Sequence, residues 1–266
     1  MRGPLKPIAS RAVLSACAVA LMAVLGWGCG GGGGGKVSSS GQAPPGSAPR
    51  LAPIQGRTYA PAIDPADFVD TIDNRYFPLR PGTGFHYRGV AEDGRTPQTD
   101  DMVVTRQTKV ILGVRCTVVS DSVSQRGRLV ERTFDWYAQD RFGNVWYMGE
   151  DAREVEGGRL VRANDSWQTG VNGAQPGIIV PGNPRPGDQY RQEYYPRFAL
   201  DQARVLGSGG PVSVPGGSFP RTLLTEETSP IDPARERKYY VAGVGDVKEQ
   251  TVAGNHELIQ LVRITH

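Results

Sequence analysis

Glu131 and Asp135 are the first residues to ask about, because paired carboxyls do general acid and base chemistry when one keeps its proton and the other does not. They stand four apart in Arg128 to Tyr137, a segment that alternates Leu129, Glu131, Thr133, Asp135, Tyr137 with Val130, Arg132, Phe134, Trp136. That is the period of a strand, with the aromatic face turned to the core and the carboxyls on the other. Four residues of strand separate the two by about 13 Å, whereas glycosidase carboxyls work at roughly 5–9.5 Å. As a pair they fail; either could act with a carboxyl from another strand. Asp140, Asn144, Glu150 and Asp151 bracket a turn with oxygen donors for calcium, but their spacing departs from an EF-hand loop, and a solvated turn is the simpler reading.

Other constellations are missing. The histidines are His86, His256 and His266, far apart, with no H-E-x-x-H and no cysteine pair, so no zinc site is legible. There is no G-x-S-x-G elbow, and the glycine run ending in Lys36 continues with Val37, which is not a phosphate loop. No metal or other cofactor is expected. Cys116, inside the strand-like Val114 to Val119, reads as a buried, inert thiol. What remains is aromatic: Phe134, Trp136, Trp146, Tyr147 and Trp167 are concentrated in one region. They form either the core of a β domain or the wall of a concave ligand site.

The elements that would position these residues are short strands. Candidates run over Gly84 to Gly89, Met102 to Leu112, Val114 to Val123, Arg128 to Tyr137, Asn144 to Met148, Gln189 to Tyr195, Phe219 to Glu226, Arg237 to Ala242, Val244 to Val252 and Glu257 to Ile264. Asp93-Gly94, Gln125-Arg126-Gly127, Gly143-Asn144 and Gly254-Asn255 supply turns between them. Gly170 to Gly187, rich in proline, reads as a long loop. Asp64 before Pro65 reads as the cap of a short N-terminal helix. The expectation is a mainly β domain over residues 63–266: one antiparallel, strongly curved sheet, half-barrel or barrel-like.

Ahead of it, Arg2, Lys6 and Arg11 precede the apolar run Ala12 to Leu25, the pattern of a secretory signal over residues 1–28. Gly26-Trp27-Gly28-Cys29 then leads into six glycines. This resembles a bacterial lipoprotein signal, in which the thiolate of Cys29 takes a diacylglyceryl group. Gly26 stands where a leucine is usual, so cleavage after Gly28 without a lipid is the rival, and a 17-residue transmembrane span a distant one. Residues 29–62, rich in Gly, Pro, Ala and Ser, read as a disordered tether.

The chain carries 30 basic and 27 acidic residues, but residues 1–28 hold three of the basic ones and none of the acids. The exported part is therefore neutral, with no basic excess for nucleic acid. The membrane, through the lipid, is the one partner the sequence names.

Phe77-Pro78-Leu79-Arg80-Pro81-Gly82-Thr83, Asp135-Trp136-Tyr137-Ala138-Gln139-Asp140 with Gly143 to Tyr147, and Lys238 to Gly245 resemble segments of a group of secreted bacterial proteins and lipoproteins of no established activity. More loosely, the last segment is similar to the closing hairpin of the lipoprotein carriers LolA and LolB, which implies a curved sheet around a lipid-accepting cavity. The resulting expectation is a non-catalytic, lipid-anchored protein of the cell envelope that binds an apolar small molecule or a protein partner in its curved sheet. The alternative is a hydrolase of envelope polymers using Glu131, Asp135 or Glu150.

Overall fold

From Gly84 onward the chain alternates buried and exposed residues strand after strand, and two-residue turns send it straight back along itself. The computed structural model describes Leu51 and residues 59–266, together with the backbone of a small antiparallel pair, β1 (Arg11–Ala12) with β2 (Ser15–Ala16). The remainder of the signal segment, Cys29 and most of the tether lie outside the described residues. Among the described residues no helix is long and apolar enough to cross a membrane.

The first element of the domain is η1 (Pro65–Asp67), with β3 (Phe68–Val69) directly after it. The expected N-terminal helix is a single 3-10 turn: Asp64 does cap it, accepting from Ala66 N at 2.9 Å, but Phe68 is already extended. The cap forms and the helix does not, because Phe68 is drawn into pairing with the end of β7 (Arg128–Asp140).

One meander comprises β4 (Gly84–Val90), β5 (Pro97–Ile111), β6 (Val114–Gln125), β7 and β8 (Val145–Glu156), with β9 (Arg159–Arg162) folded back on β8. Its tight hairpins follow from the turn residues. Leu112 and Gly113 join β5 to β6 with φ of 48° and 81°, and Arg126 and Gly127 join β6 to β7 with φ of 51° and 73°. Two consecutive positive φ values give a turn whose twist matches that of the strands. A second meander comprises β16 (Leu223–Ser229), β17 (Asp232–Val241), β18 (Gly245–Ala253) and β19 (Leu258–Thr265), and β19 pairs with β4 to join the two.

The sheet closes almost completely. The stretch expected to be a loop contains β10 (Gln175–Val180), which pairs with β8, and β12 (Glu193–Tyr194) pairs with β10. At the other end of the strand order, β11 (Gln189–Arg191) pairs with β13 (Gln202–Ser208), itself beside β16. Only Gln192 separates β11 from β12, so the two ends of one 15-stranded sheet must meet. At that seam a Cβ on Gly177 would stand 2.1 Å from the Gln192 carbonyl oxygen, so only glycine lets the two backbones approach. A small separate hairpin, β14 (Val212–Val214) with β15 (Gly217–Phe219), lies beside β19, its Val212, Val214 and Phe219 packed against the apolar core.

One mouth of this barrel is covered. Gln139 near the end of β7 accepts from Asp73 N and Asn74 N at 2.9 and 2.8 Å, and Arg75 O accepts from Gly243 N across the opening at 2.7 Å. Segment 72–83 thus lies over the mouth, and Phe77 meets the ring of Tyr137 edge-on at 5.5 Å.

Candidate functional site

Period-two alternation decides which side chains share the inside of the barrel, and in β7 the result reverses the sequence expectation. Glu131, Thr133, Asp135 and Tyr137 are the fully buried set, while Val130, Arg132 and Phe134 on the opposite face are half-buried or exposed. The carboxyl face points inward. Trp136, on the other face, is covered instead by Lys109, whose ammonium sits 3.1 Å from the ring centroid, a cation–π contact.

Asp135 does find a carboxyl on another strand. It stands opposite Glu150 in the β7–β8 register, and Tyr147 lies between them: its Oη is 2.6 Å from Asp135 Oδ1 and 2.7 Å from Glu150 Oε2. The two carboxyl oxygens are therefore no more than about 5.3 Å apart, close enough that one acid bears on the ionisation of the other. A phenol has one hydrogen to donate, so the second contact needs a protonated carboxyl donating to the phenol oxygen. Burial raises both acids, Asp135 to about 8 and Glu150 well above its ordinary value, so this pair retains a proton at neutral pH. Tyr137 stacks on Tyr147 at 4.9 Å and Trp167 meets Tyr147 edge-on at 5.3 Å, sealing the group.

A second carboxyl pair lies beside it. Asp100 on β5 and Asp121 on β6 face the same interior; burial is the main cause that holds Asp100 at about 8 and Asp121 well above its ordinary value, and the nearby acid adds to the rise at Asp121. In the second meander the pattern differs. Lys238, 1% exposed, places its Nζ 2.8 Å from Glu227 Oε2 and 3.6 Å from Glu249 Oε2. Burial alone would lower Lys238, but the facing carboxylates outweigh it and raise it well above its ordinary value. Neither Asp100, Asp121 nor Lys238 stood out in the sequence; each occupies an inward position of its strand, and that position was the only signal.

The five aromatic residues do not share one surface. Trp146 and Tyr147 are consecutive in a strand, so they point to opposite sides. Tyr147 and Trp167 come together inside, where Trp167 donates its indole N–H to Glu193 at 3.0 Å. Trp146 packs against Phe68 and donates to Asp140 at 2.9 Å. Phe134 and Trp136 lie on the outer face of β7. The calcium reading of the β7–β8 turn is overturned by the donors already there: Asp140 accepts from Phe142 N, Asn144 N, Asn144 Nδ2 and Trp146 Nε1, all at 2.8–2.9 Å. Glu150 points inside, and Asp151 pairs with Arg153 at 2.9 Å. Cys116 is buried, and burial pushes its thiol up to about 12, which leaves it unreactive. His86 is bound by Asp101 at 2.6 Å and Thr265 at 3.2 Å.

No family model matches the chain, and no curated protein matches it. Two solved structures are similar in fold. One, assigned as an exported protein of YmcC-like fold from Bacteroides fragilis, is 12% identical, covers 72% of this chain and 99% of its own, and superposes with a TM-score of 0.43. The other, assigned as a lipoprotein from Parabacteroides distasonis, is 11% identical over 74% of this chain and 100% of its own, with a TM-score of 0.39. These likenesses concern the path of the chain and carry nothing about chemistry.

Proposed function

We propose that this chain is a non-catalytic lipoprotein of the cell envelope, held to a membrane through Cys29, whose barrel presents a binding tip to a protein partner. The tip carries the reading. Leu112, in the β5–β6 turn, is 56% exposed and holds a φ of 48°, a conformation that costs a leucine about 1–2 kcal/mol and that asparagine or glycine would adopt more readily. Val110 and Val171 beside it are 67% and 46% exposed. An apolar side chain kept in a strained, solvent-facing turn is placed to be read by something else.

The interior supports a partner over an enclosed apolar molecule. Its walls carry Asp100, Asp121, Asp135, Glu150 and Lys238, each 3% exposed or less, among packed rings such as Tyr137, Tyr147 and Trp167, so buried polar groups interrupt the apolar wall implied by the likeness to LolA and LolB. The same burial weighs against the hydrolase reading, although Asp135 and Glu150 do come together, because a general acid must touch its substrate.

Photocrosslinking in the native envelope tests this. A benzophenone residue at Leu112 is expected to give one discrete protein adduct, and the same probe at Val252, near the opposite mouth, none; no adduct at Leu112, or equal adducts at both, would overturn the reading. Mass analysis of the mature N-terminus tests the anchor: a diacylated Cys29 is expected, and an unmodified one refutes it.

A further inference from the structure

At the mouth opposite the lid, three carboxylates from three stretches of chain converge. Glu236 comes from β17, Glu249 from β18 and Glu257 from the residue before β19; all three are buried, and one oxygen of each lies within 4.8 Å of the others. Their positions are fixed by register. Glu236 stands opposite Thr251, Glu249 is two residues from Thr251 on the same face, and Thr251 N donates to Glu257 O at 3.0 Å. Gln98 secures the third carboxylate, donating to Glu257 Oε1 at 2.8 Å.

We propose that Glu236, Glu249, Glu257 and the hydroxyl of Thr251 form a binding site for a hard divalent cation, Ca2+ before Mg2+. Negative charge is concentrated there: the three carboxylate oxygens lie within 4.8 Å of one another, and Lys238 stands 3.6 Å from Glu249 and 2.8 Å from Glu227. Thr251 is an independent observation. It is 7% exposed, it shares the inward face with Glu236 directly across from it and with Glu249 two residues along the strand, and its Oγ1 has no hydrogen-bond partner. A buried hydroxyl left so costs about 1–3 kcal/mol, and a cation would take its lone pair. The donors are all oxygen, which selects a hard ion over zinc or copper. Ca2+ bonds of roughly 2.3–2.6 Å span ligands up to about 5 Å apart, so the three carboxylates reach one ion from where they stand. Mg2+ demands a near-ideal octahedron and gives up its water reluctantly, so it fits this irregular set less well.

The test uses the purified mature chain, freed of metal with EDTA and exchanged into chelated buffer. Titration calorimetry with CaCl2 is expected to show one ion per chain, with affinity in the range of about 10⁻⁴–10⁻³ M common to extracellular sites. The melting temperature should rise by about 3–6 °C at 10 mM CaCl2 and by less with MgCl2. Glu257→Gln should weaken Ca2+ binding at least tenfold. Thr251→Val leaves every carboxylate and Lys238 in place; it should fold with an unchanged or higher metal-free melting temperature and bind Ca2+ several-fold more weakly. Asp135→Asn, in the other meander, should bind as the parent does. Absence of Ca2+-dependent heat and thermal shift, or equal affinity in the parent and Thr251→Val, would overturn the proposal.

Discussion

The two meanders bury acid in different ways. In the first, Asp100 faces Asp121 and Asp135 faces Glu150 with Tyr147 between, so charge is suppressed by keeping protons on carboxyls. In the second, Glu227 and Glu249 gather around Lys238, so an ammonium balances part of the charge, while burial still raises Glu249 well above its ordinary value and Asp246 to about 7. The same barrel interior thus solves one electrostatic problem twice. Protonation needs only two acids brought near each other on the inward faces of neighbouring strands. An ion pair needs a cation long enough to reach and pays desolvation for both partners.

The comparison is easiest to break at Lys238. Lys238→Met removes the ammonium and leaves Glu227 and Glu249 uncompensated, so a loss of about 3–5 kcal/mol is expected in urea unfolding; a loss under about 1 kcal/mol would mean the second meander also relies on protons. Tyr147→Phe should cost about 1–3 kcal/mol, because two buried carboxyl oxygens lose the phenol oxygen between them. A neutral Tyr147→Phe variant would show that the acids pair directly.

The pH dependence separates the protonated acids from the ammonium by sign. Asp100 and Asp135 at about 8 in the first meander and Asp246 at about 7 in the second all lie above the unfolded value of 3.8. Between those values the folded state holds more protons than the unfolded one, so the stability these groups contribute is complete below about pH 4 and is lost as pH rises through 7–8. Lys238 contributes up to pH 10.5 and loses its contribution only beyond that, above its own raised value. Thermal melts are therefore expected to fall by several degrees between pH 5 and pH 9; a melting temperature that climbs over that range would refute protonated carboxyls in the barrel interior. Glu150→Gln has the smallest effect: it imitates the protonated acid, so it should change stability by about 1 kcal/mol or less at pH 7 and flatten the profile. If it proves as damaging as Lys238→Met, Glu150 is ionised and the contrast between the meanders fails.

Much of this architecture could be read from residue order. The period-two pattern of β7, the turn at Arg126-Gly127 and the mainly β, curved sheet follow from local rules, and Cys116 is buried as its neighbours suggested. The misses have physical causes. Gln175–Val180 is hidden among prolines and glycines, yet Gly177 is there because the barrel seam permits no side chain. The helix at Pro65 stops after one turn because β7 offers Phe68 a strand partner, a contact 72 residues away in sequence. The meeting of Asp135 with Glu150 depends on the register of two strands, including the irregularity between Asp135 and Tyr137, which residue types do not specify.

What the sequence determined by itself was the alternation: which residues of each strand stand together, and where the chain must turn, because those depend on neighbours one to four positions away. Which of the two faces is inside was decided only by the tertiary structure. Hydrophobicity assigns the aromatic face of β7 to the core and the carboxyl face to water. Closure of the sheet, with Lys109 over the Trp136 ring on the aromatic face, turned Glu131 and Asp135 inward. A buried carboxyl is tolerable only when another acid, a phenol or an ammonium stands within hydrogen-bond reach, and those partners come from strands the local sequence does not name.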